Sequence, residues 1–215
     1  MEIALTKIKN WVREHAANVL NGLEGPAKEA QILSVEKETG MLLPSDYKQF
    51  LLVHNGENGV DSILGDGNAL FSCEGILKQY QMELSNLNMS PSSHLANIKE
   101  WKEQVADNRI AVKGAVKPCD ANVKWLPLSC MNGDVFRYLD FDPAQGGVTG
   151  QIIEVDYEGV RWEVLASSFT NLLEIHAANL ENGLFHIAEH GGIVRQEQYI
   201  EDSESWDMPE WLKNA

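Results

Sequence analysis

Several groups of side chains have residue types and spacings that chemistry could use. His186 and His190 stand four apart with Glu189 between them. On a helix that spacing sets two imidazoles on one face, where a third ligand would complete a zinc site. Gly191-Gly192 follow at once, however, and residues 184–187 alternate like a strand, which separates the two rings. Asp140 and Asp142 flank Phe141, and two carboxylates on one strand face can hold Mg²⁺ or divide acid and base roles. Pro143 comes next, so a turn in which the aspartate caps the backbone is the stronger expectation. Gly146-Gly147-Val148-Thr149-Gly150 matches neither the G-x-G-x-x-G fingerprint nor a P-loop. It lies between two strands, so no helix dipole stands behind its N–H groups. It reads as a loop that needs positive φ at several residues. Cys73, Cys119 and Cys130 are odd in number and widely spaced, with no Cys-x-x-Cys pair. They read as reduced, partly buried thiols of a cytosolic protein. No Gly-x-Ser-x-Gly elbow is present. No catalytic residue, cofactor site or metal site is expected, and the chain does not read as an enzyme.

The elements that would position these groups follow from periodicity. Leu5, Ile8, Val12, His15 and Val19 recur at steps of three and four, with Trp11 at the edge of the stripe, and predict a helix ending at Asn21-Gly22. A second helix is expected from Pro26 in its first turn to Gly40, with Ile32 and Val35 inward. Ser45 is placed to cap a third, whose apolar face is Tyr47, Phe50, Leu51 and His54. Residues 57–75 are glycine-rich and read as a loop with one short strand at 69–71, residues 76–87 as a helix, and Trp101 as part of another short helix. From about residue 109 the period changes to two. Residues 123–126, 135–141, 151–157 and 160–165 read as strands, the last two joined by a turn at Glu158-Gly159. Such short links imply an antiparallel, possibly mixed sheet. A last clear helix runs from about Ser167 to Leu180, with His176 on its buried stripe. His15, His54 and His176 thus read as core residues. Helices first and strands later give an α+β domain over residues 1–195, in which an antiparallel sheet packs against helices at 5–20, 44–54 and 167–181.

Residues 196–215 form a distinct acidic tail containing Trp206, Asp207, Met208, Trp211 and Leu212. So many apolar groups suit either folding back onto the domain or anchoring a partner, and Trp206, Asp207 and Trp211 are the candidate partner contacts.

Charge narrows the function classes. Seventeen basic residues stand against 32 acidic ones, a net charge of −15. Such a surface repels nucleic acid phosphate and anionic membranes and would attract a basic protein, while on charge alone the stronger reading is that it only keeps the protein soluble. The N-terminus lacks a signal-like apolar run, and no stretch approaches a membrane span, so a cytoplasmic location is expected.

One ordered set of residues is more specific. Lys124-Trp125-Leu126-Pro127-Leu128, Gly133-Asp134, Tyr138-Leu139-Asp140-Phe141-Asp142-Pro143, Gly146-Gly147 and Gly150-Gln151-Ile152-Ile153 follow one another in that order. Glu36, Gly40, Leu43-Pro44-Ser45-Asp46-Tyr47 and Asn55-Gly56 precede them, with Val116-Lys117-Pro118 between and Ser167-Ser168-Phe169 after. This pattern, over about residues 25–190, resembles the SUKH superfamily with its fungal Knr/Smi cell-wall regulators. The residues themselves suit structural roles: Trp125 as a buried anchor, Pro127 at a strand end or bulge, and the glycines where bulkier residues cannot go. The resemblance implies a non-catalytic module in one of two settings. In bacteria these are immunity proteins that bind and neutralise toxin domains. In fungi they are regulatory scaffolds of cell-wall assembly and signalling. Without the long low-complexity flanks of the fungal regulators, the chain is expected to be of the immunity type, with a basic toxin domain as partner.

Overall fold

The computed structural model of this chain describes residues 1–59, 61–89, 98–196 and 208–214. In chain order the elements are α1 (Glu2–His15), a 3-10 turn (Ala17–Gly22), α2 (Glu29–Thr39), α3 (Ser45–Leu51), α4 (Cys73–Met89) and α5 (Ile98–Ala106). There follow β1 (Ala111–Lys113), β2 (Trp125–Met131), β3 (Val135–Asp140), β4 (Gln151–Asp156) and β5 (Arg161–Ala166). Then come α6 (Phe169–Glu181), β6 (Phe185–Ile187), β7 (Ile193–Arg195) and α7 (Glu210–Lys213). The architecture is α+β.

The main sheet has the order β1-β5-β4-β3-β2. β2 to β5 form an antiparallel meander, as their short links require, and β1 adds a parallel edge beside β5. The sheet is therefore mixed. The ladder between β2 and β3 is irregular between Pro127 and Ser129, so Pro127 sits beside a bulge. A separate two-stranded ribbon pairs β6 with β7.

Each sheet face has its own apolar layer. Leu126, Leu139 and Ile152 point to the side where α1, α3 and α6 pack, against Ile8, Val12, Tyr47, Phe50, Phe169 and Leu173. The other face carries Trp125, Phe136, Tyr138, Ile153, Val155 and Trp162, closed over by Trp101 and Val105 of α5 and Leu212 of α7. Trp125 is 1% exposed.

Local chemistry corrects several expected boundaries. α1 stops at His15 because Ala16 leaves helical geometry at φ −145°, and the 3-10 turn continues in its place. His15 consequently lies exposed, stacked on Trp11 with ring centroids 4.3 Å apart. Pro26 precedes α2 instead of opening it; Lys28 is the cap residue, and Gln31 Oε1 accepts from its N–H at 2.8 Å. Gly40 does end α2, in the left-handed conformation at φ 69°. Ser45 is the first residue of α3 and makes no capping bond. Ser168, by contrast, caps α6 through Asn171 N–H at 3.1 Å.

Candidate functional site

The residues of the central signature converge on one buried carboxylate. Trp125, Asp140 and Gln151 are consecutive cross-strand partners on β2, β3 and β4. Asp140 is fully buried. Its Oδ1 accepts from Trp125 Nε1 at 3.1 Å and from Asp142 N at 2.8 Å, and its Oδ2 accepts from Gln151 Nε2 at 3.0 Å. Gln151 also donates to Ala115 O at 2.8 Å and accepts from Val148 N at 3.1 Å. Asp140 and Gln151 together thus fasten three strands, the 146–150 loop and the segment after β1. Burial lifts the Asp140 pKa to about 6, and the three hydrogen bonds oppose that rise. With its lone pairs so occupied, Asp140 is a structural hub with little capacity left for a metal or a substrate.

Asp142 lies beyond the strand end in the turn. Burial raises its pKa, but Lys117 Nζ at 2.6 Å and Asn122 Nδ2 at 3.0 Å outweigh that and hold it below the usual carboxylate value. The two acids therefore do different work: Asp140 caps the turn from inside, and Asp142 ties down the 117–122 segment. The glycine loop folds tightly around them. Gly146 and Gly150 have φ of 88° and 84°. A Cβ on Gly147 would stand 2.7 Å from Pro143 Cβ and 2.9 Å from Ala115 O.

The earlier signature residues are fold determinants as well. Leu43 is buried, and its N–H donates to Glu36 Oε1 at 2.8 Å, while Glu36 pairs with Lys48 at 2.6 Å. Pro44 caps α3 and abuts Gly150, joining the two signatures. Tyr47 is fully buried, 4.9 Å from the Phe169 ring. Asn55 Oδ1 accepts from Cys73 N at 2.9 Å, satisfying a donor at the start of α4. Gly56 has φ 80°, and a Cβ there would meet the Phe71 backbone at 2.5 Å.

One organising residue escaped sequence reasoning. Glu57 is 9% exposed and gathers Ser62 Oγ, Ile63 N and Leu70 N at 2.8–2.9 Å, which shapes the glycine-rich 57–72 loop. Its only sequence signal is an acid beside Asn55-Gly56.

In the tail, Trp211 turns inward. Its Nε1 donates to Gly114 O at 2.9 Å and its ring meets Trp101 edge-on at 6.2 Å. Leu212 is completely buried. Residues 208–214 thus use their apolar side chains on their own domain, and Trp211 is a fold contact where a partner anchor was considered. Trp206 and Asp207 lie outside the described residues.

The other reactive side chains stay apart. His186 is on β6 and His190 in the following turn, 3.8 Å from Asp61, because the chain is not helical there. Among the described residues no three or more His, Cys, Asp or Glu side chains are grouped to hold a metal ion. Burial pushes the Cys73 and Cys119 thiols up to about 11 and about 12, away from the reactive thiolate. Exposed acids are scattered, among them Glu14, Glu29, Glu74, Asp134, Glu158 and Glu174. No helix among the described residues is long and apolar enough to cross a membrane.

The chain is 25% identical over 210 residues to the cell wall biosynthesis/cell cycle regulator smi1 of Schizosaccharomyces pombe, covering 96% of this chain and 41% of the relative. It is 21% identical over 206 residues to a glucan synthesis regulatory protein of Neurospora crassa, covering 85% and 39%. A shorter stretch of 58 residues is 36% identical to the uncharacterized protein YnaB of Bacillus subtilis, covering 27% and 37%. The chain spans about two fifths of the length of these relatives. The SMI1 / KNR4 family (SUKH-1) matches residues 26–175, which enclose α3, the whole meander and the Asp140 hub, and the chain belongs to that family.

Proposed function

We propose that the protein is a non-catalytic binding module of the immunity type, which captures and neutralises a basic toxin domain in the cytoplasm. The observation that carries this reading is the use of the signature's polar residues. Asp140, Gln151, Asn55 and Asp142 are all bonded to their own fold, so the signature residues supply a scaffold and leave recognition to the rest of the surface. That surface belongs to a chain of net charge −15, which draws in a cationic partner, speeds encounter and disfavours nucleic acid and anionic membranes.

The test is co-expression with the product of the adjacent gene and with candidate cationic toxin domains. A stable complex is expected, with neutralised toxicity and an association rate falling at least about tenfold between low and high salt. Loss of association with every such domain, or salt-independent binding, overturns the reading. Tight binding of duplex DNA at moderate salt contradicts it equally.

A second reading is a regulatory scaffold with no toxin partner. The fungal relatives, a cell wall and cell cycle regulator and a glucan synthesis regulator, favour it. It predicts capture of host enzymes or their regulators in the same experiment, with no protection against any toxin.

A further inference from the structure

A small cavity of about 70 Å³ lies beneath α6, between the sheet and the β6–β7 ribbon. Its polar walls are unusual for so acidic a chain: Arg137 from β3, Arg195 from β7, and His176 and Asn179 from α6, with Leu165 and Ile175 among the apolar ones. Arg137 sits in a row of cross-strand neighbours that runs Ser129, Arg137, Glu154, Glu163, Lys113 across all five strands. The row is internally paired, since Arg137 Nε meets Glu154 Oε2 at 2.9 Å and Lys113 Nζ meets Glu163 Oε1 at 2.7 Å.

Donors remain after that pairing. Arg137 is 6% exposed, yet its one hydrogen bond among the described residues uses a single N–H of the five that a guanidinium carries. The remaining N–H groups of Arg137 are available to donate into the cavity that its side chain lines. Arg195 stands at the rim, 5.6 Å above the Phe185 ring centroid and 4.0 Å from Asp66. His176 reports that both guanidiniums are near. Burial is the largest cause that depresses its pKa to about 4, and the charges of Arg137 and Arg195 act in the same direction. Its Nε2 faces Ile63 O at 2.8 Å, so that nitrogen holds the proton of the neutral ring.

We propose that this cavity binds a single carboxylate, taken by the free edge of the Arg137 guanidinium and by Arg195 and supported by the Asn179 amide. The planar fork of arginine matches a carboxylate in two parallel hydrogen bonds. The volume suits a group of acetate size, about two water volumes at about 30 Å³ each. Glu154 and Asp66 already offset the two cations, so the site offers donors more than net charge. A monoanion fits that balance, whereas a dianion such as phosphate meets repulsion. The carboxylate can come from a free small acid or from an acidic side chain of a partner protein.

The test is an NMR titration of the full chain at pH 7.5 and constant ionic strength, reading the His176 ring signals as sodium acetate replaces sodium chloride. A saturable shift is expected in the millimolar range. Arg195→Gln, a change at an exposed position, should weaken binding at least about threefold while leaving the fold intact. Arg137→Lys keeps the charge but removes the fork and should abolish saturation; Asn179→Ala provides a second reading if that variant does not fold. An end-blocked peptide with one internal glutamate separates the sources: tighter binding than acetate assigns the site to a partner's side chain, and binding no tighter assigns it to a free acid. A linear response to acetate, an unchanged affinity in Arg195→Gln, or inorganic phosphate binding more tightly than acetate overturns the proposal.

Discussion

The two faces of the five-stranded sheet are closed by different means. On one, α1, α3 and α6 lie over aliphatic strand residues such as Leu126, Leu139 and Ile152, and periodic stripes on the helices supply the matching surface. On the other, the strand residues are mainly aromatic, and the cover is a short helix, a long connection and the four-residue α7. That cover is held by polar handles on the aromatic rings. Trp162 Nε1 donates to Cys119 O at 3.0 Å, Tyr157 Oη to Asp120 O at 2.7 Å, and Trp211 Nε1 to Gly114 O at 2.9 Å. An aromatic ring with a donor at its tip can fill a core and pin a loop at once, which aliphatic residues cannot do. The second face therefore uses tryptophan and tyrosine where the first uses regular helices.

The sharpest way to break that arrangement is Trp125→Ala. Among the described residues the ring is the largest fully buried side chain, and it is one of three donors to Asp140. Its loss should cost about 3–5 kcal/mol, read by urea denaturation. A cost below about 1 kcal/mol would mean that the second face is not a true core. Next in size is Leu212→Ala, which empties a completely buried site on α7 and should cost about 2–4 kcal/mol. Unchanged stability would mean that residues 208–214 leave the sheet in solution and are open to a partner after all.

The same contrast decides what could be read from sequence. Strands β2 to β5, the turn after Asp156 and helix α6 were legible because periods of two and 3.6 are local signals. β1 was not: it has three residues, and its strand partner, β5, starts some fifty residues later and runs parallel. The early end of α1 was missed because the apolar stripe runs on through Val19 into a 3-10 turn of similar period. Signature residues were recognisable as structural through the family resemblance, yet the bonds of Asp140 to Trp125 and Gln151 depend on strand register, which sequence shows only weakly. Glu57 gave only the weak signal of an acid beside Asn55-Gly56 and Arg137 gave none, since an acid in a loop and a base in an alternating strand both read as solvent-facing. Burial alone gives them their roles.

The finest probe of the second face is Glu83, where α4 meets the tyrosines. Gln79 Nε2 at 2.9 Å and Tyr138 Oη at 3.2 Å both donate to the same oxygen, Oε1. Burial raises the Glu83 pKa from 4.5 to about 7, and the two hydrogen bonds reduce but do not cancel the rise. Between those values the folded chain holds a proton that the unfolded chain releases. The stability contributed by this group is therefore complete below about pH 4.5 and is lost as pH rises through about 7. Asp140 adds a parallel loss, from 3.8 to about 6, that a change at residue 83 leaves in place. Glu83→Gln keeps an acceptor for Gln79 and Tyr138 and cannot ionise. At pH 4.5 the variant should match the parent protein, and at pH 8 it should be more stable by about 2 kcal/mol, measured by urea denaturation at both pH values. A variant no more stable than the parent at pH 8 would show that water reaches Glu83, and that this end of the aromatic face is open where the Trp125 end is sealed.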